Sequence, residues 1–158
     1  MTPPGTKPVA SNRRARHDYA ILDTIEAGIV LQGSEVKSLR LAQVQLADAY
    51  ARIRDGQVWM DGVHISPYAF ASGVGAHDPD RSRKLLMHRN EIDRLADRMD
   101  RERLTLVPLS IYFRNGKAKV ELGLAKGRTK GDKRQAIAER DSKREIERAL
   151  GRNAKGLD

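Results

Sequence analysis

The chain contains no cysteine, so disulfides and thiolate-held metal sites are both excluded. Aromatic residues make up only 4% of its 158 residues and include a single tryptophan, too few for a broad base-stacking platform. No apolar run approaches the roughly 20 residues that cross a bilayer. The opening MTPPGTKPVASNRRARHDY lacks the apolar segment of a secretion signal, and the expected location is the cytoplasm. His17, His64, His77 and His88 are scattered without an HxxxH or HExxH pair, so neither a metal site nor a cofactor is expected.

Positive charge is abundant. Lys and Arg number 30 against 21 acidic residues, a formal net charge of +9. A single domain this basic points to a polyanionic partner, with nucleic acid ahead of an anionic membrane. From Lys126 to Arg152 ten cations face five acids, so a net +5 sits in the last part of the chain. Ile137, Ile146 and Leu150 are too sparse there to pack a stable face. Residues 128–158 are therefore expected to be a basic tail, disordered alone and helical when bound to a polyanion. Three of the six prolines fall within residues 1–12, which are expected to be disordered.

Between these ends the pattern is mostly β. A strand is expected from Tyr19, bending at Glu26-Ala27-Gly28 and resuming through Leu31. Asp55-Gly56 and Asn115-Gly116 each separate two alternating runs, as type I′ hairpin turns do. In the second hairpin Val107, Leu109, Ile111 and Phe113 fall on one face, and Ala118, Val120, Leu122 and Leu124 point inward. A helix is expected over 90–102, capped by Asn90, with Ile92, Leu95, Ala96 and Met99 on its apolar stripe. A small closed barrel removes the sheet edges most economically.

The segment QGSEVKSLRL (32–41) carries both signs of charge. Gly28 and Gly33-Ser34 stand at phosphate-loop spacing, but the lysine that must precede the hydroxyl is missing, which argues against nucleotide hydrolysis. A capped helix accounts for part of the segment, with Ser34 as N-cap, Glu35 in the first turn, and Val36 and Leu39 facing the core. Capping gives no reason for Lys37 and Arg40. Folded RNA does: cations meet phosphates, and a carboxylate can accept hydrogen bonds from guanine N–H groups or a ribose 2′-hydroxyl. His77, Asp78 and Asp80 are the residues an RNA-processing enzyme would need. Asp78-Pro79 more simply marks a turn, with Arg81, Arg83 and Lys84 as a basic loop, and no enzymatic activity is expected. Tyr68 and Trp59 are expected at the edge of the core.

Several longer segments carry a resemblance: NRRARHDY (12–19), EAGIVLQGSEVKSLR (26–40), DAYARI (48–53), GQVWM (56–60), HISPY (64–68), HDPDRSRKLL (77–86), LTLVPLSIYFRNGKAKVELGLAKG (104–127) and DKR (132–134). Over roughly residues 12–148 the chain resembles the small protein B, or SsrA-binding protein, family of bacterial trans-translation. The resemblance implies a mainly β fold with short α-helices. Its core is a closed antiparallel β-barrel of the oligonucleotide-binding (OB) type over 13–127, followed by the basic C-terminal tail. It further implies binding to the tRNA-like domain of tmRNA near its elbow. Alanyl-tmRNA would travel with elongation factor Tu to stalled ribosomes, where the tail reaches the small-subunit decoding centre and the empty mRNA channel.

Carried over by position, Gly33, Glu35, Lys37, Ser38 and Arg40 are expected on the tmRNA surface, joined by His64, Tyr68, Lys126 and Gly127. Lys130, Asp132, Lys133, Arg134, Arg140, Lys143 and Arg144 are expected to meet the ribosome. Gly131 and Ser142 depart from the family pattern, which often has aromatic or histidine side chains there. A general ribosomal or RNA-chaperone protein built on the same barrel is the alternative that composition alone leaves open.

Overall fold

Asp55 and Gly56 have φ of 51° and 72°, and Asn115 and Gly116 have φ of 51° and 79°. Each pair thus turns its hairpin with two positive-φ residues, as the type I′ geometry requires. The first turn sets Arg54 opposite Gln57, and the second sets Arg114 opposite Lys117. These two hairpins anchor a computed structural model that describes residues 5–68 and 76–127. The chain divides into two units, Met1–Gly127 and Arg128–Asp158, and every described residue lies in the first. The tail, and with it Lys130, Asp132, Lys133, Arg134, Arg140, Lys143 and Arg144, lies outside the described residues.

The described elements run in the order β1 (Thr6–Ser11), α1 (Arg13–Asp18), β2 (Tyr19–Ile29), α2 (Gly33–Arg40), β3 (Val44–Gln45), β4 (Tyr50–Arg54), β5 (Gln57–Asp61), β6 (His64–Ile65), β7 (Arg83–Leu86), α3 (Arg89–Glu102), β8 (Thr105–Arg114) and β9 (Lys117–Gly127). The main sheet is ordered β1-β8-β4-β5-β7-β2-β9, all of its pairings antiparallel. A further pairing of β8 with β9 carries the hydrogen-bonded neighbours round from β8 through β4, β5, β7, β2 and β9 back to β8. Strands β3 and β6 form a separate pair. The protein is mainly β with a few helices. Among the described residues no helix is long and apolar enough to cross a membrane.

The ring encloses one apolar core, to which Val58, Met60, Val63, Leu106, Val120 and Leu122 each contribute side chains with no exposed surface. Helix α3 closes over it through Ile92 and Leu95. A second cluster of Ala15, Val107, Leu109 and Ala125 lies beneath α1. The two clusters correct the expected face of β8. The register of β8 against β9 shifts between Pro108 and Ser110, and the extra residue at a bulge exchanges the two faces of a strand. Val107 and Leu109 therefore enter the small cluster, while Leu106, Ile111 and Phe113 enter the main core. Leu109 lies so close to Gly123 that a Cβ there would meet its Cδ1 at 2.9 Å.

Other expectations also change. From Thr6 onward the segment expected to be disordered is an edge strand, with Thr6 opposite Arg114 and Ser11 opposite Ser110. Sparse apolar content hid this, because β8 supplies the ladder and Val9 and Ala10 need only partial burial. Strand β2 runs unbroken through 26–28, and its register against β9 shifts between Ile21 and Asp23, where Leu22 is exposed. Helix α3 starts one residue earlier, with His88 as N-cap and its backbone N–H donating to Glu91 at 3.2 Å. Glu91, three residues on, satisfies an N–H left free at the helix start, and the cap therefore falls at His88 and not at Asn90.

Candidate nucleic-acid interface

Helix α2 follows directly from β2. Val30 bonds its N–H to the carbonyl of Lys84 at 3.0 Å, which fixes the exit of the strand beside β7. The N-cap is Gln32, not Ser34. Glu35, three residues on, reaches back and accepts the Gln32 N–H at 2.8 Å. The Ser34 hydroxyl is instead buried against His77, 2.8 Å from Nδ1. His77 Nε2 lies 2.9 Å from the carbonyl oxygen of Ile65. A carbonyl only accepts, so Nε2 carries the proton, and in that tautomer Nδ1 accepts from Ser34.

Glu35 has no exposed surface. Its Oε1 receives Arg81 Nη2 at 2.6 Å, and its Oε2 receives Arg83 Nε at 2.6 Å. Arg83 is equally buried, its remaining donors going to the carbonyls of Val63 at 2.7 Å and Pro79 at 3.0 Å. Arg81 also reaches the Val30 carbonyl at 3.2 Å. One carboxylate thus ties together the start of α2, strand β7 and the loop before it. Burial pushes the Glu35 carboxyl upward, but hydrogen bonds from Arg81, the Gln32 N–H and Arg83 outweigh it, and its pKa falls below the ordinary 4.5. The oxygens expected to read RNA are occupied inside the protein. Glu35 acts here as an internal clamp.

The outward side of α2 keeps the cations. Gly33, Lys37 and Arg40 are exposed. Lys37 Nζ lies 5.4 Å from the centre of the Tyr68 ring, and the Arg40 guanidinium lies 4.9 Å from that of Phe113. Both cations lie against aromatic faces, and among the described residues neither forms an ion pair. Ser38 is fully buried and donates to the Ser66 carbonyl at 2.7 Å, which fastens α2 to the segment after β6. His64, on β6, pairs with Asp80 at 2.8 Å.

The structure therefore gathers Gly33, Lys37, Ser38, Arg40 and Tyr68 around one helix. Lys126 and Gly127 are exposed at the far end of β2, opposite Ala20 and Tyr19. Nine residues of strand, roughly 30 Å at 3.3 Å each, separate Ala20 from the end of β2 that leads into α2. The residues that sequence reasoning missed are Arg81 and Arg83, read there with Lys84 as a basic loop. Alternation in RSRKLL shows that Arg83 and Leu85 share a face, but only the fold reveals a carboxylate waiting on it. Among the described residues no three His, Asp or Glu side chains assemble into a metal site.

A family model described as SmpB protein matches residues 9–152. The chain belongs to the SmpB family. The SsrA-binding protein of Acidothermus cellulolyticus is 59% identical over 152 residues, covering 96% of this chain and 95% of that relative. The SsrA-binding protein of Mycolicibacterium smegmatis is 57% identical over 150 residues, covering 95% of this chain and 92% of that one. A solved chain described by the words "tmRNA-SmpB: a journey to the center of the bacterial ribosome" is similar at 48% identity and a TM-score of 0.65, covering 82% of this chain and 94% of its own length. The SmpB match takes in both the Glu35 clamp and the tail positions from Lys130 to Arg144.

Proposed function

We propose that this protein binds the tRNA-like domain of tmRNA and delivers it to stalled ribosomes for trans-translation. The observation that carries the reading is the pairing of family membership with a helix whose acidic side chain is consumed internally. Arg81 and Arg83 take up the Glu35 carboxylate, so no acid of α2 is left to offset Lys37 and Arg40, which present positive charge toward an RNA backbone. Tyr68 offers one aromatic surface beside them, and Gly33 allows close approach of a phosphate to the helix start. His64 extends this surface through β6, while Lys126 and Gly127 serve a second stretch of the same RNA. The circular strand pairing is consistent with a closed barrel of the OB type.

The tail, through Lys130, Asp132, Lys133, Arg134, Arg140, Lys143 and Arg144, engages the ribosome at the decoding centre and senses an empty mRNA channel. It does so after alanyl-tmRNA has been carried in with elongation factor Tu, in the cytoplasm. Its net charge of +5 over 126–152 supports an RNA partner.

The test is a filter-binding competition among tmRNA, its isolated tRNA-like domain and ordinary tRNA. Strong preference for the first two is expected. Equal affinity for all three, falling alike with salt, would instead fit a general RNA chaperone and overturn the reading.

A further inference from the structure

The only tryptophan of the chain is not spent on the core. Trp59 is half-buried and belongs to neither apolar cluster, because it alternates with the buried Val58 and Met60 and so points out of the sheet. Its cross-strand neighbours are Arg52 on β4 and Lys84 on β7. Residues directly opposite in antiparallel strands hold their Cβ atoms about 5 Å apart on the same face, so a cation flanks the indole on each side. Arg52 is held in place by Asp61, which Ser82 also engages. Lys84 has no ion pair among the described residues.

Arg52, Arg54, Asp55, Gln57, Trp59 and Ser82 line an open cleft of about 400 Å³. Arg89 adds a further cation at the hairpin turn, where a Cβ on Gly56 would come within 2.6 Å of its Nη1. None of these residues belongs to α2. The cleft sets the flat indole of Trp59 beside Gln57 and Arg54, the latter loosely paired with Asp55 at 3.8 Å, while Lys84 flanks the indole from the other strand. A nucleobase has the π-face for the indole, and the phosphates on either side of it have the charge for the cations.

We propose that the outer face of β4, β5 and β7 is a second RNA site, in which an unpaired base stacks on Trp59 while Arg54 and Lys84 hold the adjoining phosphates. The occupant is a single-stranded segment, because a base locked in a duplex cannot present its face to the indole. This assignment stands apart from the tmRNA reading, which rests on α2.

The solitary tryptophan reports on its own site. The full chain is titrated with an unstructured oligouridylate of about eight nucleotides, following Trp59 emission and the anisotropy of end-labelled oligonucleotide. Saturable quenching of Trp59 is expected, with none from inorganic phosphate at matched ionic strength. Trp59→Leu should weaken binding by about tenfold, and Trp59→Phe should recover most of it. Arg54→Glu combined with Lys84→Glu should weaken binding and flatten its salt dependence. Trp59 emission that stays unchanged at saturating oligonucleotide overturns the proposal, as does equal quenching by phosphate alone. So does full affinity in a Trp59→Leu protein with native circular dichroism. Loss of tRNA-like-domain binding in Lys37→Glu/Arg40→Glu, with oligouridylate binding intact, bears on the α2 reading and leaves this one standing.

Discussion

Glu35 and Arg83 meet at 2.6 Å with neither side chain exposed to solvent. Two opposite charges removed from water are tolerated only when both are saturated with hydrogen bonds, and here they are. Arg81 and the Gln32 N–H complete the carboxylate, and backbone carbonyls complete the guanidinium. The start of α2 is thereby fixed to β7, across 48 residues of sequence.

Removing one partner leaves the other charge stranded. Glu35→Gln should destabilise the protein by about 3–5 kcal/mol. A calorimetric melting temperature lower by roughly 10–20 °C is the expected reading for a domain of this size. Replacing both partners together, Glu35→Leu with Arg83→Met, should recover much of the loss. A Glu35→Gln protein that melts like the wild type but loses RNA affinity would show that the carboxylate touches RNA directly.

The same pair sets an acid dependence. The Glu35 pKa is lower folded than its ordinary 4.5, so its stabilisation is fully present above that value. It is lost as pH falls through the folded value, where the native carboxylate must take up a proton. Urea midpoints measured from about pH 7 down to pH 3 should show the gap between wild type and Glu35→Gln narrowing toward the acid end. A constant gap would contradict the assignment.

Lys37 and Arg40 are exposed, and their contacts with Tyr68 and Phe113 contribute about 0.5–1 kcal/mol each. Lys37→Glu with Arg40→Glu should lower the melting temperature by only a few degrees while strongly weakening tRNA-like-domain binding. The slope of log affinity against log salt should fall by about one for each phosphate that the protein no longer neutralises. Unaltered affinity would move the interface away from α2.

Truncation after Gly127 separates the two halves of the proposed function. The shortened protein should retain its affinity for the tRNA-like domain and fail to support tagging in a reconstituted stalled-ribosome assay. Simultaneous loss of both activities would refute the division of labour.

Two glycines distinguish backbone strain from crowding. A Cβ at Gly116 meets nothing within 4 Å, so Gly116→Ala costs only the positive φ, about 1–2 kcal/mol. At Gly123 the Cβ would strike Leu109, and Gly123→Ala should cost about 1–3 kcal/mol through crowding. Truncating Leu109 to Ala in that background should then be less harmful than in the wild type.

Both hairpins were legible because their information is local. Asp55-Gly56 and Asn115-Gly116 specify positive φ within two residues, and the flanking alternation specifies the strands. The apolar stripe of α3 was legible for the same reason, its Ile92 and Leu95 being one turn apart. Bulges were not. The shift near Pro108 leaves no mark in the composition of β8, yet it sends Val107 and Ile111 to different clusters. Strand β1 was missed because its stability resides in its partner.

The candidate site divides in the same way. Sequence placed Glu35, Lys37 and Arg40 within two turns of chain and raised the question of why both signs were present. It could not say that the acid belongs to Arg81 and Arg83, because they lie 46 and 48 positions away and alternation identifies a face without identifying what opposes it.

Amino-acid order alone determined the excess of positive charge, the two tight turns, the family and the mixed character of residues 32–41. Such features depend on neighbours a few positions apart or on simple counting. Tertiary structure alone decided that Glu35 faces inward while Lys37, Arg40 and Trp59 face outward. Burial is a property of what packs across a strand or beneath a helix, and that partner is chosen by the whole fold.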